Sequence, residues 1–354
     1  MKKKFAAILL AAVMIFTLAA CGGGGPDAPD GDGSGTPAPE ETLIVYSTHS
    51  EALLEAVCSA FTEETGVAVE YINLKGELSD RVRSEKENPQ ADIMFGGDTA
   101  TYMLLQSEGC FDTAKPAWAA ELDGAYKDSQ GYWFGTIKTP VMIFYNADLL
   151  AADAAPTGWS DLTKDEYKDL IITRDSLSSS MRSAICGLIY SISEKEGEDA
   201  AWQYLKALDA NTKNYYNSGS MMYEAIGKGE AAISVAVMSD IIDNRDNNGM
   251  PLQMVDATSG SIVLTDCIAK IKNAPHPNAA EAFLEFAGSA KMQAMVANEF
   301  NRTPTLEDAL ADSPDWMRDE YKAMELDWTV IGENQSDWLE KWETDIIDSG
   351  KAAN

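Results

Sequence analysis

Thr42 to Glu51 reads TLIVYSTHSE, an apolar run followed by a polar knot that holds one of the two histidines in the chain. Leu43, Ile44 and Val45 fit a buried strand, and Ser50 to Gly66, SEALLEAVCSAFTEETG, fits an amphipathic helix. Its Leu53, Leu54, Val57, Ala60 and Phe61 recur at helical spacing, and Gly66 suits a left-handed C-terminal cap. Val67 to Leu74, VAVEYINL, predicts a second strand. Gly76 to Pro89, GELSDRVRSEKENP, predicts a second helix stopped by the proline. Ala91 to Gly97, ADIMFGG, and Thr99 to Gly109, TATYMLLQSEG, repeat the pair. Strands alternating with helices imply a parallel sheet. Loops at the carboxyl ends of such strands converge on one edge, where helix N-termini meet a ligand. Thr48, His49 and Ser50 form one of these loops, with three roles open: metal ligation, base catalysis or hydrogen-bond donation.

Upstream, Met1 to Gly25 reads MKKKFAAILLAAVMIFTLAACGGGG. Lys2, Lys3 and Lys4 precede an apolar run from Phe5 to Ala20 that is short for a bilayer core, and small residues lead to Cys21. Residues 1–20 thus resemble a bacterial lipoprotein signal peptide, with Cys21 as the lipidated N-terminus. Residues 21–41 are Gly, Pro and acid, a flexible tether that would hold an extracytoplasmic body off the membrane. The body from Thr42 onward is long enough for two lobes and has no further membrane-spanning run. With 57 acidic against 27 basic residues and a formal net charge of −30, nucleic acid and anionic lipid are poor partners. A local pocket can still hold an anion, because distant charge is screened. Cys58, Cys110, Cys186 and Cys267 contain no Cys-x-x-Cys pair; they read as two disulfides or as buried thiols, and their apolar surroundings favour thiols.

The order TLIVYSTHSE, AFTEETGVAVEYINLKGEL and NPQADIMFGGDTATYMLLQSEG resembles the start of bacterial ABC-transporter solute-binding proteins. VMIFYNADLL, GKGEAAISVA and APHPNAAEAFLEFAGSAKMQAMVANEF continue the likeness over most of the chain. The nearest cluster is the type 2 one, with ferric-iron, thiamine, phosphonate and sugar-phosphate binders. The resemblance implies an α/β, two-lobed type 2 periplasmic-binding-protein fold, with hinge strands and a ligand cleft that closes on a solute. Lobe 1 would span 42–138 and 259–300 and lobe 2 would span 139–258, with C-terminal helices at 301–354 bracing both. GTIKTPVMIFYN and SGSIVLTDCIAKI would carry the crossings. The implied partners are a small-molecule solute and the permease, with the chain a monomer that needs no cofactor. Trp316, Trp328, Trp338 and Trp342 are expected to pack against the body.

Candidate ligand contacts follow from donors at strand and helix ends. Besides Thr48, His49 and Ser50 they are Gly97, Asp98 and Thr99, although Asp98 also suits the helix cap at Thr99. Ser178, Ser179 and Ser180 precede a helix, as an oxyanion site or as ordinary caps. Arg182 could grip phosphate or carboxylate in a bidentate pair, or project into solvent beside Asp175. Ser218 and Ser220 lie ahead of another helix, and Ser239 and Asp240 follow the strand AAISVAVM. Tyr132 and Trp133 read as cleft aromatics or packed strand residues.

Ferric-binding relatives hold iron with adjacent tyrosines at a position that reads Val237 and Met238 here, and neither ligates hard Fe(III). Gly97 and Asp98 stand where iron binders often carry glutamate, and Tyr215 and Tyr216 lie upstream of the matching helix. No metal site is expected, and ferric-iron uptake is the alternative reading. GxSxG, HExxH and the phosphate loop are absent, so no catalytic residues are assigned. The expected solute is a small organic oxyanion: a phosphorylated compound, a phosphonate or a carboxylate.

Overall fold

The computed structural model describes residues 40–74, 77–318 and 321–353. The signal, Cys21 and the tether up to residue 39 lie outside them. The first half of the chain forms β1 (Thr42–Ser47), α1 (Glu51–Thr65), β2 (Ala68–Asn73), α2 (Leu78–Ser84), β3 (Ile93–Asp98), α3 (Thr99–Ser107), β4 (Phe111–Asp112) and β5 (Phe134–Asn146). Next come β6 (Ile171–Arg174), α4 (Ser179–Glu196), α5 (Glu198–Asn211), β7 (Thr212–Tyr216), α6 (Gly219–Gly227), β8 (Ile233–Val237), α7 (Met238–Asp246) and β9 (Leu252–Val255). The chain closes with β10 (Ile262–Ile271), α8 (Pro277–Ala287), α9 (Ala290–Phe300), β11 (Thr303–Pro304), α10 (Glu307–Ala311), α11 (Trp328–Lys341) and β12 (Ala352–Ala353).

Local chemistry sets the ends of these elements. Gly66 adopts φ 79° and its N–H closes α1 onto the Thr62 carbonyl. Asp98 caps α3, its carboxylate accepting the Thr101 N–H at 2.9 Å. Helix α2 stops well before Pro89, where the sequence places its end. Ser84 Oγ donates to the Arg81 carbonyl at 2.9 Å and Lys86 turns its ammonium to the Glu108 carbonyl, so local bonds replace helical ones.

One mixed sheet runs in the order β12-β7-β6-β8-β5-β10-β3-β1-β2, with β11 and β9 also paired to β5 and β4 to β10. The β1–β2, β1–β3, β6–β7 and β6–β8 pairs are parallel, as the alternating elements predict. The joint between the two parallel sets is antiparallel. Strand β5 pairs with β10 from Phe134 to Val141 and with β8 from Val141 to Tyr145. Val141 therefore faces Ile262 on one side and Val237 on the other.

Apolar side chains separate along the same line. One core gathers Leu43, Val45, Phe61, Ile93, Phe95 and Phe283, all 2 % exposed or less, under α1, α8 and α9. Another gathers Ile143, Trp159, Ile189, Trp202, Val235 and Trp342 between the sheet and α4, α5 and the C-terminal segment. Helix α11 packs against both α3 and α4. Trp342 is buried, while Trp328, Trp338 and Trp316 are partly buried against apolar cores, which is packing as expected. Trp133 is buried and donates to Gln106 at 2.9 Å, and Tyr132 packs partly buried beside it, so both belong to the scaffold.

Cys58, Cys110, Cys186 and Cys267 are buried free thiols. Burial pushes the Cys58 and Cys186 thiols up to about 12, which makes them unreactive.

Candidate functional site

His49 leaves β1 with its backbone fixed from two sides. Its N–H donates to Ser47 Oγ at 3.0 Å and its carbonyl accepts Asn73 Nδ2 at 2.6 Å. The ring stands edge-on to Phe95 at 4.5 Å and is 9 % exposed, and Nε2 has no hydrogen-bond partner. Burial, with help from Arg302, holds the imidazole down at about 3, so it is neutral at physiological pH. Gly96 is required beside it. Its φ is 90°, and a Cβ there would lie 2.8 Å from Thr48 Oγ1 and 2.9 Å from His49 Nε2. Ser50 sits at the N-cap of α1 without a side-chain cap bond, and its side chain is exposed.

The opposing wall comes from β6, α4, α6 and α7. Ser178 caps α4, accepting the Met181 N–H at 3.4 Å, and its Oγ lies 3.2 Å from Ser180 Oγ. Both serines line a cavity of about 30 Å³ with Arg174, Gly219, Val237 and Asp240. Arg174 is anchored by donating to the carbonyls of Tyr216 at 3.1 Å and Asn217 at 2.9 Å. Next to it, Ser220 and Asp240 border a larger cavity of about 700 Å³. Ser218 caps α6 through the Met221 N–H at 3.5 Å.

Between the walls lies the antiparallel joint. Asp266 lies midway along the mostly apolar strand β10, and burial raises its carboxyl to about 6. Asp98 adds to that rise, while Arg302, the Gly97 N–H and the Thr139 hydroxyl oppose it. Arg302 follows Asn301, which ends α9 in a left-handed conformation at φ 54°. Its neighbour Thr303 pairs with Lys138 of β5. A buried amide fixes the next residues. Gln293 Oε1 accepts the Thr305 N–H at 2.9 Å and the Leu306 N–H at 3.1 Å, and Thr305 Oγ1 donates to the Gly135 carbonyl at 2.8 Å.

Arg302 is half-buried and, among the described residues, makes no hydrogen bond or ion pair. Yet it lies within electrostatic reach of His49 in the loop after β1, Asp266 on β10 and Asp240 on α7. Asp240 lines a cavity, where burial raises its carboxyl against the pull of Arg302. Part-buried cationic charge without a partner favours an anion supplied from outside.

The structure thus groups His49, Asp240 and Asp266 around Arg302, Gly97 and Asp98 beside Asp266, and Ser178 and Ser180 with Asp240 around one cavity. Ser239 adjoins Asp240 and hydrogen-bonds its carboxylate. Thr48 is half-buried against Gly96. Thr99, Ser179 and Arg182 stand apart. Thr99 is buried with its hydroxyl toward the Thr265 carbonyl and Cys267, at 3.5 and 3.7 Å. Ser179 and Arg182 are exposed, because α4 turns Met181, Ala184 and Ile185 inward and leaves those two on the outer side. Arg302, Arg174 and Thr139 are missed in the sequence, where nothing in FNRTPT or TRDS marks a position at the site. Asp266, an acid inside an apolar strand, is a readable signal.

The positions matched to the iron tyrosines are Val237, on a cavity wall, and Met238, buried. Tyr215 and Tyr216 are buried, with hydroxyls bonded to Asp209 at 2.9 Å and Glu230 at 3.1 Å. Among the described residues no group of three or more His, Cys, Asp or Glu side chains is placed to hold a metal ion. His276 is structural too: its N–H and Nδ1 meet the buried Asp92 at 2.6 and 3.0 Å.

A profile described as bacterial extracellular solute-binding protein matches residues 56–324. The chain belongs to this family. The probable ABC transporter periplasmic-binding protein y4fP of Sinorhizobium fredii is 30% identical over 316 residues, 88% of each chain. A putative 2-aminoethylphosphonate-binding periplasmic protein of Salmonella paratyphi A is 23% identical over 55% of this chain and 57% of that one. Among solved structures, apo ferric ion-binding protein A of Pasteurella haemolytica aligns over 86% of this chain and 97% of its own, with TM-score 0.75 and 20% identity. The periplasmic binding protein AfuA of Actinobacillus pleuropneumoniae, with fructose-6-phosphate bound, gives 0.71 at 22% identity, over 86% and 98%. The fold is the two-lobed one of type 2 periplasmic binding proteins. This family member is the extracytoplasmic solute-binding component of an ABC transporter, in a family of transport proteins rather than enzymes.

The two perturbed groups give opposite pH slopes. The depressed His49 contributes stability that is full above its ordinary 6.5 and is lost as pH falls toward 3. The raised Asp266 contributes stability that is full below 3.8 and is lost as pH rises through 6. Asp266→Asn should therefore be more stable than the parent at pH 7.5, by on the order of 1–2 kcal/mol after allowing for partial exposure. Its stability should climb with pH from 4 to 6, where the parent's two slopes oppose. Urea unfolding at several pH values measures this; a variant less stable at pH 7.5 would show that charged Asp266 is held favourably.

Proposed function

We propose that this receptor captures a small organic oxyanion (a phosphorylated compound, a phosphonate or a carboxylate) between its two lobes and presents it to the permease. The unpaired, half-buried Arg302 carries this reading. It stands at the joint, between His49 and Asp266 on one side and Asp240 on the other. An oxyanion there would take the guanidinium, a His49 ring nitrogen and the Ser178 and Ser180 hydroxyls as donors, with Arg174 behind them. The two largest cores support lobe 1 as 42–138 and 259–300 and lobe 2 as 139–258, with Ile262 and Leu264 at the crossing packed into the lobe 2 core. Binding both walls through one solute stabilises the closed arrangement. Phe5–Ala20 and Cys21 support attachment of a monomeric receptor to the cell membrane by lipid.

Isothermal titration with a panel of phosphates, phosphonates and carboxylates tests the anion reading. The best binder should lose about 10- to 100-fold in affinity on Arg302→Gln, the range of a lost charge-assisted bond, with little change in melting temperature. Tight ferric-iron binding with no response to any oxyanion would refute it. Lipid attachment is checked separately: cells fed radioactive palmitate should label the parent protein and not Cys21→Ser, and equal labelling would exclude Cys21 as the acceptor.

A further inference from the structure

The cavity of about 700 Å³ between α6 and α7 has a chemistry opposite to that of the arginine side. Glu224, Asp240 and Asp243 line it, with Asn244 and Asn248. Glu224 is matched by Lys228 at 2.6 Å, and Asp243 Oδ1 accepts Asn247 Nδ2 at 2.7 Å. No cation meets Asp240 or Asp243 within ion-pair distance among the described residues.

Tyr223 supplies a second, independent pointer. It is 6 % exposed, its ring stacks on Phe144 at 5.5 Å and 21°, and its hydroxyl has no hydrogen-bond partner. It lines both the serine-arginine cavity and the acidic one. A buried phenol without a partner costs free energy that a ligand group can recover. Phenol oxygen and carboxylates are all acceptors for N–H, whereas the neighbouring serines, Arg174 and Arg302 are donors for an oxyanion. A bare metal ion is disfavoured, because three metal-binding side chains do not converge among the described residues. An ammonium group tolerates such spread acceptors, since its three N–H bonds diverge.

We propose that the α6–α7 cavity is an ammonium subsite, so that the solute is a zwitterion. This rests on the oxyanion reading above and extends it. The amine sits against Tyr223 Oη, Asp240 and Asp243, and the oxyanion lies toward Ser178, Ser180 and the two arginines. Asp240, which lines both cavities, marks the boundary between the two ends of the molecule.

Calorimetric titration of the full chain with matched pairs decides it: 2-aminoethylphosphonate against ethylphosphonate, and 4-aminobutyrate against butyrate, with ethylamine alone as a fifth probe. In at least one pair the amine-bearing member should bind about 10-fold or more tighter, as expected for charge-assisted bonds to an ammonium. That advantage should shrink several-fold in Asp243→Asn and in Tyr223→Phe, each confirmed as folded by its melting curve. An amine-bearing member that binds no tighter than its partner overturns the subsite and leaves the oxyanion reading standing. An advantage unchanged in both variants overturns the assignment to this cavity. Binding of ethylamine alone overturns both readings, and binding of none of the probes overturns the subsite.

Discussion

Val141 is paired on both sides, to Ile262 of β10 and to Val237 of β8, and the rest of the architecture is organised around that double ladder. On one side of it β5 is bonded to β10 and β11, and on the other to β8 and β9. Backbone hydrogen bonds cannot be left unmade in a buried sheet, so the halves cannot slide past one another without breaking a ladder. They can twist or bend about it. Each half keeps its own apolar core, which lets that motion occur without opening either interior.

The same joint positions the charged groups. Residues 303 and 304 add a short strand to β5, and the Gln293 amide and Thr305 hydroxyl tie the following turn to α9 and to Gly135. Arg302 is therefore carried on a braced segment beside the crossing, with Asp266 on the neighbouring strand. The backbone that carries this cation is pre-organised, so little main-chain freedom remains to be lost when an anion arrives. The depressed His49 and the raised Asp266 show how little bulk water reaches this place.

Most of the fold was legible from apolar periodicity and punctuation. TLIVYS, ADIMFGG and the helix ending at Gly66 have the pattern their structure requires, whereas GTIKTPVMIFYN and SGSIVLTDCIAKI were placed at the crossings by the family resemblance. The early end of α2 was hidden because it depends on Ser84 and Lys86 finding partners, one of them on Glu108. The site was legible only in part. Strand-end and helix-start residues such as His49, Asp98, Ser178 and Asp240 can be read because topology alone sends them to one edge. Ser179 and Arg182 share the same local sequence but fall on the wrong face of α4. Arg302 and Arg174 could not be read, because long-range pairing and not local pattern brings them to the cleft.

The account turns on a single atom group, the Arg302 guanidinium, receiving an oxyanion from the solute. A crystal structure of the protein purified from its own host, with the solute it carries, tests this most directly. The account predicts an oxyanion oxygen about 3 Å from a guanidinium nitrogen of Arg302, within reach of donors from both walls. A solute bound without contact to Arg302, or a ferric ion held by other ligands, would contradict it.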